Sequence, residues 1–170
     1  RRDRIAFDLS TMGAGMPQNN AAFTKAEFDR RLAKTRAAMA QAGLDVLFVE
    51  DPSNIAWLTG YDGWSFYVHQ GALIFHDADP VWWGRNQDTN GAKRTVWMSE
   101  DCILGYADIF VQSTVRHPMQ DLAGVIRDYG HGASRIGVEL DNYYYSAKAH
   151  LTLVTELPDA TLIDATAMVN

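Results

Sequence analysis

The chain has 170 residues, 47% hydrophobic and 21% charged, which is enough for one full hydrophobic core and too short for two comfortable domains. Its 15 basic and 21 acidic side chains leave a formal charge of -6, so the basic stripe of a phosphate-backbone binder is missing and nucleic acid is not an expected partner. Cys102 stands alone, which excludes an intramolecular disulfide framework and makes the cytoplasm the expected compartment.

The chain begins at Arg1 without an initiator Met and without the apolar core of a secretory signal, so a longer protein continuing past Asn170 is expected. Residues 10–20, with two Gly, two Asn and one Pro, are rich in turn and flexible residues and read as a flexible leader. Thr24 with Glu27 fits a capping box opening a helix over residues 25–42. Phe28, Leu32, Thr35 and Met39 give it an apolar stripe, Arg30, Arg31 and Lys34 occupy other faces, and Gly43 suits its left-handed end. The apolar run inside residues 45–50 predicts a strand covered on both faces. A turn at 51–54, a short helix at 54–58 and a Gly-flanked loop at 59–63 follow.

Strands are predicted at 65–70, 72–76 and 80–83, the last two joined as a hairpin through Asp77, Ala78 and Asp79. The pattern then favours a helix at 87–97 and a strand at 109–112. Pro118 sits at a first helical position, and Met119, Leu122, Val125, Ile126 and Tyr129 keep helical spacing up to Gly130. A strand at 135–139, a helix at 146–156 and a strand at 161–164 close the chain. The longest apolar runs are strand-sized, far below the roughly 20 residues of a membrane helix, so no membrane association is expected.

Trp57, Trp64, Trp82, Trp83 and Trp97 all fall in one section. Trp57, Trp82 and Trp97 read as core aromatics, whereas Trp64, Phe66 and Tyr67 follow a Gly-flanked loop from which aromatics face a cleft or a partner subunit, with a structural packing role as the alternative. His69 is either buried with a hydrogen-bond partner or aimed at a pocket. His76, Asp77 and Asp79 have metal-ligand types, but their place between two strands makes a solvated turn the simpler account. His117 precedes a helix, His131 and His150 read as turn and helix-surface residues, and the five histidines show no ligand spacing. Cys102 reads as a small buried residue. Glu139 and Asp141, beside Asn142, Tyr143, Tyr144 and Tyr145, read as a solvated loop, with a polar cluster at the domain surface as the alternative. The glycine pairs lack the setting of a nucleotide fingerprint.

The order of elements, together with DPSNIAWLTGY at residues 51–61, resembles the N-terminal domain shared by creatinase, prolidase and aminopeptidase P over residues 24–166. YDGWSFYVHQ at 61–70, GRNQDTNG at 84–91, RHPM at 116–119 and VELDNYY at 138–144 look like the ectoine hydrolase branch of that family. The resemblance implies an α/β fold, a mixed β-sheet flanked by helices with a ribonuclease H-like motif. It also implies three segments: a leader at 1–23, the domain at 24–166, and at 167–170 the start of a linker to an absent C-terminal pita-bread domain. The catalytic residues would lie in that domain, leaving no catalytic residue, cofactor or metal ligand in this segment and the metal use of the whole enzyme open. Relatives of the creatinase type are homodimers whose N-terminal domain reaches the partner's active site, and Trp64, Phe66, Tyr67 and His69 match the region that does so. Val68 stands where creatinase places an arginine, which sets creatine apart as a substrate. The implied partner is ectoine or a related zwitterion, its amidinium on the aromatic wall and its carboxylate on Arg85. Creatinase, an Xaa-Pro peptidase and a stand-alone binding or dimerisation module are the alternatives.

Overall fold

The structure is a computed structural model that describes residues 22–169, so the leader expected over 1–23 falls almost wholly outside the described residues. Helix α1 (Lys25–Ala42) opens where Thr24 Oγ1 accepts the Glu27 N–H at 3.3 Å and ends at Gly43, whose φ of 63° is the left-handed conformation glycine adopts at least cost. The reciprocal half of the expected capping box does not form. The Glu27 carboxylate instead accepts from the Arg30 and Arg31 guanidiniums at 2.8 Å each, and these hold it well below the usual range, at about 2. Phe28, Leu32, Thr35 and Met39 form the buried face, as their spacing predicts. Arg31 does not take an outer face: it is 3% exposed, with its guanidinium 4.0 Å from the Phe23 ring and 3.7 Å from the Trp57 ring. A planar cation can bury its faces on aromatic rings while its edge N–H groups stay bonded, here to Glu27 and the Trp57 carbonyl. Trp57, expected in the core, is therefore a 40% exposed cover over Arg31.

Strand β1 (Val46–Val49) is buried throughout. The turn expected at 51–54 is the opening of α2 (Pro52–Thr59), because Asp51 Oδ1 accepts from Ser53 N at 2.8 Å and Asn54 N at 3.2 Å, with Pro52 at the first turn. Strands β2 (Gly71–Phe75), β3 (Val81–Arg85) and β4 (Ile103–Tyr106) lie on one side of β1, and β5 (Arg135–Val138) and β6 (Thr161–Asp164) on the other. The order is β4-β3-β2-β1-β5-β6, and β2 alone runs against the rest. Helices α3 (Thr89–Thr95), α4 (Pro118–Asp128) and α5 (Ala147–Glu156) complete the elements, giving the expected mixed sheet flanked by helices.

Two expected strands move. Residues 65–70 form no ladder; pairing begins at Gly71 opposite Trp83, and Ser65 Oγ bends the chain by accepting from Val68 N at 3.3 Å. Phe66, in the middle of the expected strand, is 70% exposed. The strand expected at 109–112 lies instead at β4, where Gly105 interrupts the apolar pattern; residues Asp108–Phe110 form a single tight helical turn. The helix expected at 87–97 shortens to α3.

Period-two alternation splits the core into two layers. Val46, Phe48, Leu73, Phe75 and Trp83 face α4 and α5, while Leu47, Val49, Ala72, Ile74 and Trp82 face α1, α2 and α3. Trp82 and Trp83 are both fully buried, on opposite faces. Trp83 Nε1 donates to Asp121 Oδ2 at 2.8 Å, whereas Trp82 Nε1 has no partner among the described residues. Trp83→Phe is therefore expected to cost about 1–3 kcal/mol more than Trp82→Phe, since only the former breaks a bond and strands its acceptor. Thermal unfolding of the two variants checks this, and a lower Tm for Trp82→Phe would contradict it. Cys102, expected to be buried, is half-buried with Ser99 Oγ 3.7 Å from its Sγ.

Candidate functional site

Strands β1 and β5 are parallel neighbours, so their carboxyl ends open on the same edge. The chain leaves β1 for α2, whose Ile55 and Leu58 pack in one core layer, and leaves β5 for α5, whose Ala149 and Leu153 pack in the other. Departure to opposite faces leaves a crevice beyond the strand ends, where ligands of open α/β sheets bind. Two carboxylates sit there, Glu50 just after β1 and Glu139 just after β5, each 2% exposed.

Glu139 is the knot of this edge. Its carboxylate accepts from Glu50 N at 2.6 Å, Asp51 N at 2.8 Å, Asn54 Nδ2 at 2.5 Å and Asn142 Nδ2 at 2.8 Å. The solvated-loop expectation is thus overturned for Glu139, although Asp141 is exposed. The legible signal was the D-P-x-N run itself, which places free main-chain N–H groups and an amide at a strand end in need of an acceptor.

Glu50 was missed, because it reads as the tail of an apolar strand. Its Oε1 meets His69 Nδ1 at 2.9 Å, and its Oε2 has no partner among the described residues. Burial pushes its carboxyl up to about 7, against the pull of His69 and with a further push from Glu139. Of its expected alternatives, His69 lines a pocket and has a hydrogen-bond partner, but it is partly exposed rather than buried. Its ring centroid is 5.0 Å from that of His117, and its carbonyl accepts from Tyr106 Oη at 2.7 Å. His117 caps α4, with Nδ1 accepting from Met119 N at 3.2 Å. Partial burial, with His69 and Lys148 nearby, holds its imidazole down at about 4, which keeps it neutral at pH 7.

A cavity of about 140 Å³ opens over Glu50 and His69, walled by Phe66, Tyr67 and Tyr144. A second, of about 160 Å³, shares Tyr67, Val68 and His69 with it and continues to Arg116 and His117. Of the five expected substrate residues, Phe66, Tyr67 and His69 line the first cavity. Trp64 stands beside it, its Nε1 donating to Tyr144 Oη at 2.6 Å. Arg85 lines neither: Nε and Nη2 bond the Asp108 carboxylate at 2.8 and 3.2 Å, and Nη1 reaches Tyr67 Oη at 3.3 Å. What the arrangement offers chemically is recognition, with aromatic faces above a buried acid that has one uncommitted oxygen. Among the described residues no group of three or more His, Cys, Asp or Glu is gathered to hold a metal ion. Nor is any described helix long and apolar enough to cross a membrane.

Residues 31–170 match the model of the Creatinase/Prolidase N-terminal domain, and the chain belongs to that family. It is 51% identical over 156 residues to an ectoine hydrolase of Halomonas elongata, a match covering 91% of this chain and 39% of that protein. It is 40% identical over 149 residues to the uncharacterized hydrolase/peptidase y4tM of Sinorhizobium fredii, covering 87% of this chain and 38% of that one. The chain thus spans under two fifths of the length of these curated relatives. Among solved structures, an Xaa-Pro aminopeptidase from Streptococcus pyogenes superposes with a TM-score of 0.65 at 21% identity, covering 86% of this chain and 97% of that one. The Creatinase/Prolidase N-terminal domain of an X-Pro dipeptidase from the same organism gives 0.64 at 20%, covering 82% and 96%. At such identities the likeness is one of fold.

Proposed function

We propose that this chain is the non-catalytic N-terminal domain of a cytoplasmic, homodimeric creatinase-family hydrolase that opens the ring of ectoine, and that it supplies dimer contacts and substrate enclosure. The observation that carries this is the 51% identity to an ectoine hydrolase across 91% of the chain. Ectoine carries a delocalised amidinium and a carboxylate. The aromatic wall of Trp64, Phe66 and Tyr67 with His69 suits the amidinium, each cation–π contact being worth about 0.5–2 kcal/mol. Arg85 steadies Tyr67 through its hydroxyl while paired with Asp108. Water attack at the amidine carbon, protonation of the departing nitrogen and any metal belong to the catalytic domain, and this segment contributes no cofactor ligand.

The test is turnover of ectoine, followed by NMR, for the full reading-frame product and for this chain alone, with creatine and a proline dipeptide as comparisons. Consumption of ectoine only by the full product is the expected result. Turnover of creatine or the dipeptide instead, or of nothing, would overturn the assignment. In the full product, Trp64→Ala is expected to raise KM for ectoine up to about tenfold with the dimer intact. Unchanged kinetics would remove this loop from the site.

A further inference from the structure

The two cavities above are lined by polar groups of opposite kind. Among the described residues the first is lined by one acid, Glu50, and no Lys or Arg, while the second is lined by one cation, Arg116, and no Asp or Glu. Tyr67, Val68 and His69 line both, so the acidic end and the basic end of this strand-end groove adjoin at that segment.

Each end holds an uncommitted polar group. Glu50 is 2% exposed and its Oε2 has no partner among the described residues, a costly state for a buried acceptor. The guanidinium of Arg116 likewise has no hydrogen-bond or ion-pair partner among the described residues. Arg85 is bonded to Asp108, Arg36 to the carbonyls of Phe75 and Ala78, Arg127 to the Glu156 carbonyl and Arg135 to the Gly43 carbonyl. The main chain at Arg116 is fixed: its N–H and that of Val115 both donate to Ser113 Oγ, at 3.0 and 3.2 Å, in the turn that feeds α4. Beside it His117 uses Nδ1 as an acceptor, which puts the imidazole proton on Nε2 as a donor in the same cavity. Lys148 lines the adjoining cavity with Arg116 and His117 and adds positive potential at this end.

We infer that this groove takes a small zwitterion lengthwise, its cationic head against the aromatic wall over Glu50 and His69 and its carboxylate on Arg116. The inference rests on the proposed function and assigns the carboxylate to Arg116 in place of Arg85. Recruiting Arg85 would require breaking a two-bond ion pair with Asp108, whereas Arg116 gains a partner without losing one.

The test is an N–H shift titration of this chain with two probes, ectoine and the same cyclic amidine lacking the carboxylate, read at the Trp64 indole. Both probes are expected to move that signal. Arg116→Gln should weaken ectoine binding roughly tenfold while changing the amidine by less than about twofold, because only the carboxylate contact is lost. Lys34→Gln, which removes an equal charge from the exposed face of α1, should change neither. Equal weakening of both probes, or none, would overturn the inference. So would an absence of shifts in this chain when the full product turns over ectoine, an outcome that leaves the proposed function intact. Arg116-dependent ectoine binding without turnover by the full product would overturn the proposed function alone.

Discussion

Glu139→Ala is expected to lower the unfolding free energy of this chain by about 3–5 kcal/mol, the scale at which a buried charged acceptor is lost with its donors left behind. The carboxylate serves four donors from three segments: the main-chain N–H groups of Glu50 and Asp51 at the end of β1, the Asn54 amide in α2 and the Asn142 amide beyond β5. Methyl truncation strands them in a place where Glu139 is 2% exposed and water has little access. It also removes negative charge from the first turn of α2, where the helix dipole favours it. Glu139→Gln keeps the volume but offers one acceptor oxygen and turns an NH2 toward other donors, so an intermediate loss of about 1–3 kcal/mol is expected. Urea denaturation at pH 7 checks both. A loss below about 1 kcal/mol for the alanine variant would mean that the strand ends hold together without this carboxylate.

The second large effect concerns pH. Glu50 has an ordinary value of 4.5 when unfolded and about 7 in the fold, so between these the native state binds more protons than the unfolded chain. Stability from this group is therefore fully present below 4.5 and lost as pH rises through 7, by on the order of 3 kcal/mol. His117 works in the opposite sense: its value falls from 6.5 to about 4, so its contribution is present above 6.5 and lost as pH falls through 4. The two oppose each other between 4.5 and 6.5, and a plain stability curve there is expected to be nearly flat. Comparison with Glu50→Gln separates them, because His117 is common to both proteins. The stability of the parent relative to that variant should fall steadily from pH 4.5 to 7.5, following the groups around Glu50, namely His69, Glu139, Tyr106 and Tyr145. A pH-independent difference would show that Glu50 is not held as a weak acid.

The sequence by itself determined the layered α/β plan. Helices α1, α4 and α5 are legible because Thr24, Pro118 and Ser146 place capping chemistry beside apolar stripes, and those signals are local. Strands β1, β2, β3, β5 and β6 are legible as short apolar runs between turns, and Phe66 and Tyr67 of the aromatic section at 57–97 line the first cavity. Tertiary structure decided the rest, because the deciding partners are far apart in sequence. Arg31 looks like a solvent residue until Trp57 and Phe23 close on it, and Phe66 looks like a strand residue until no strand pairs with it. Glu50 and Glu139 are 89 positions apart and become neighbours only when β1 and β5 pair. Whether a carboxylate is a solvated charge, a hydrogen-bond hub or a weak acid depends on the water and donors around it, which one-dimensional spacing does not carry.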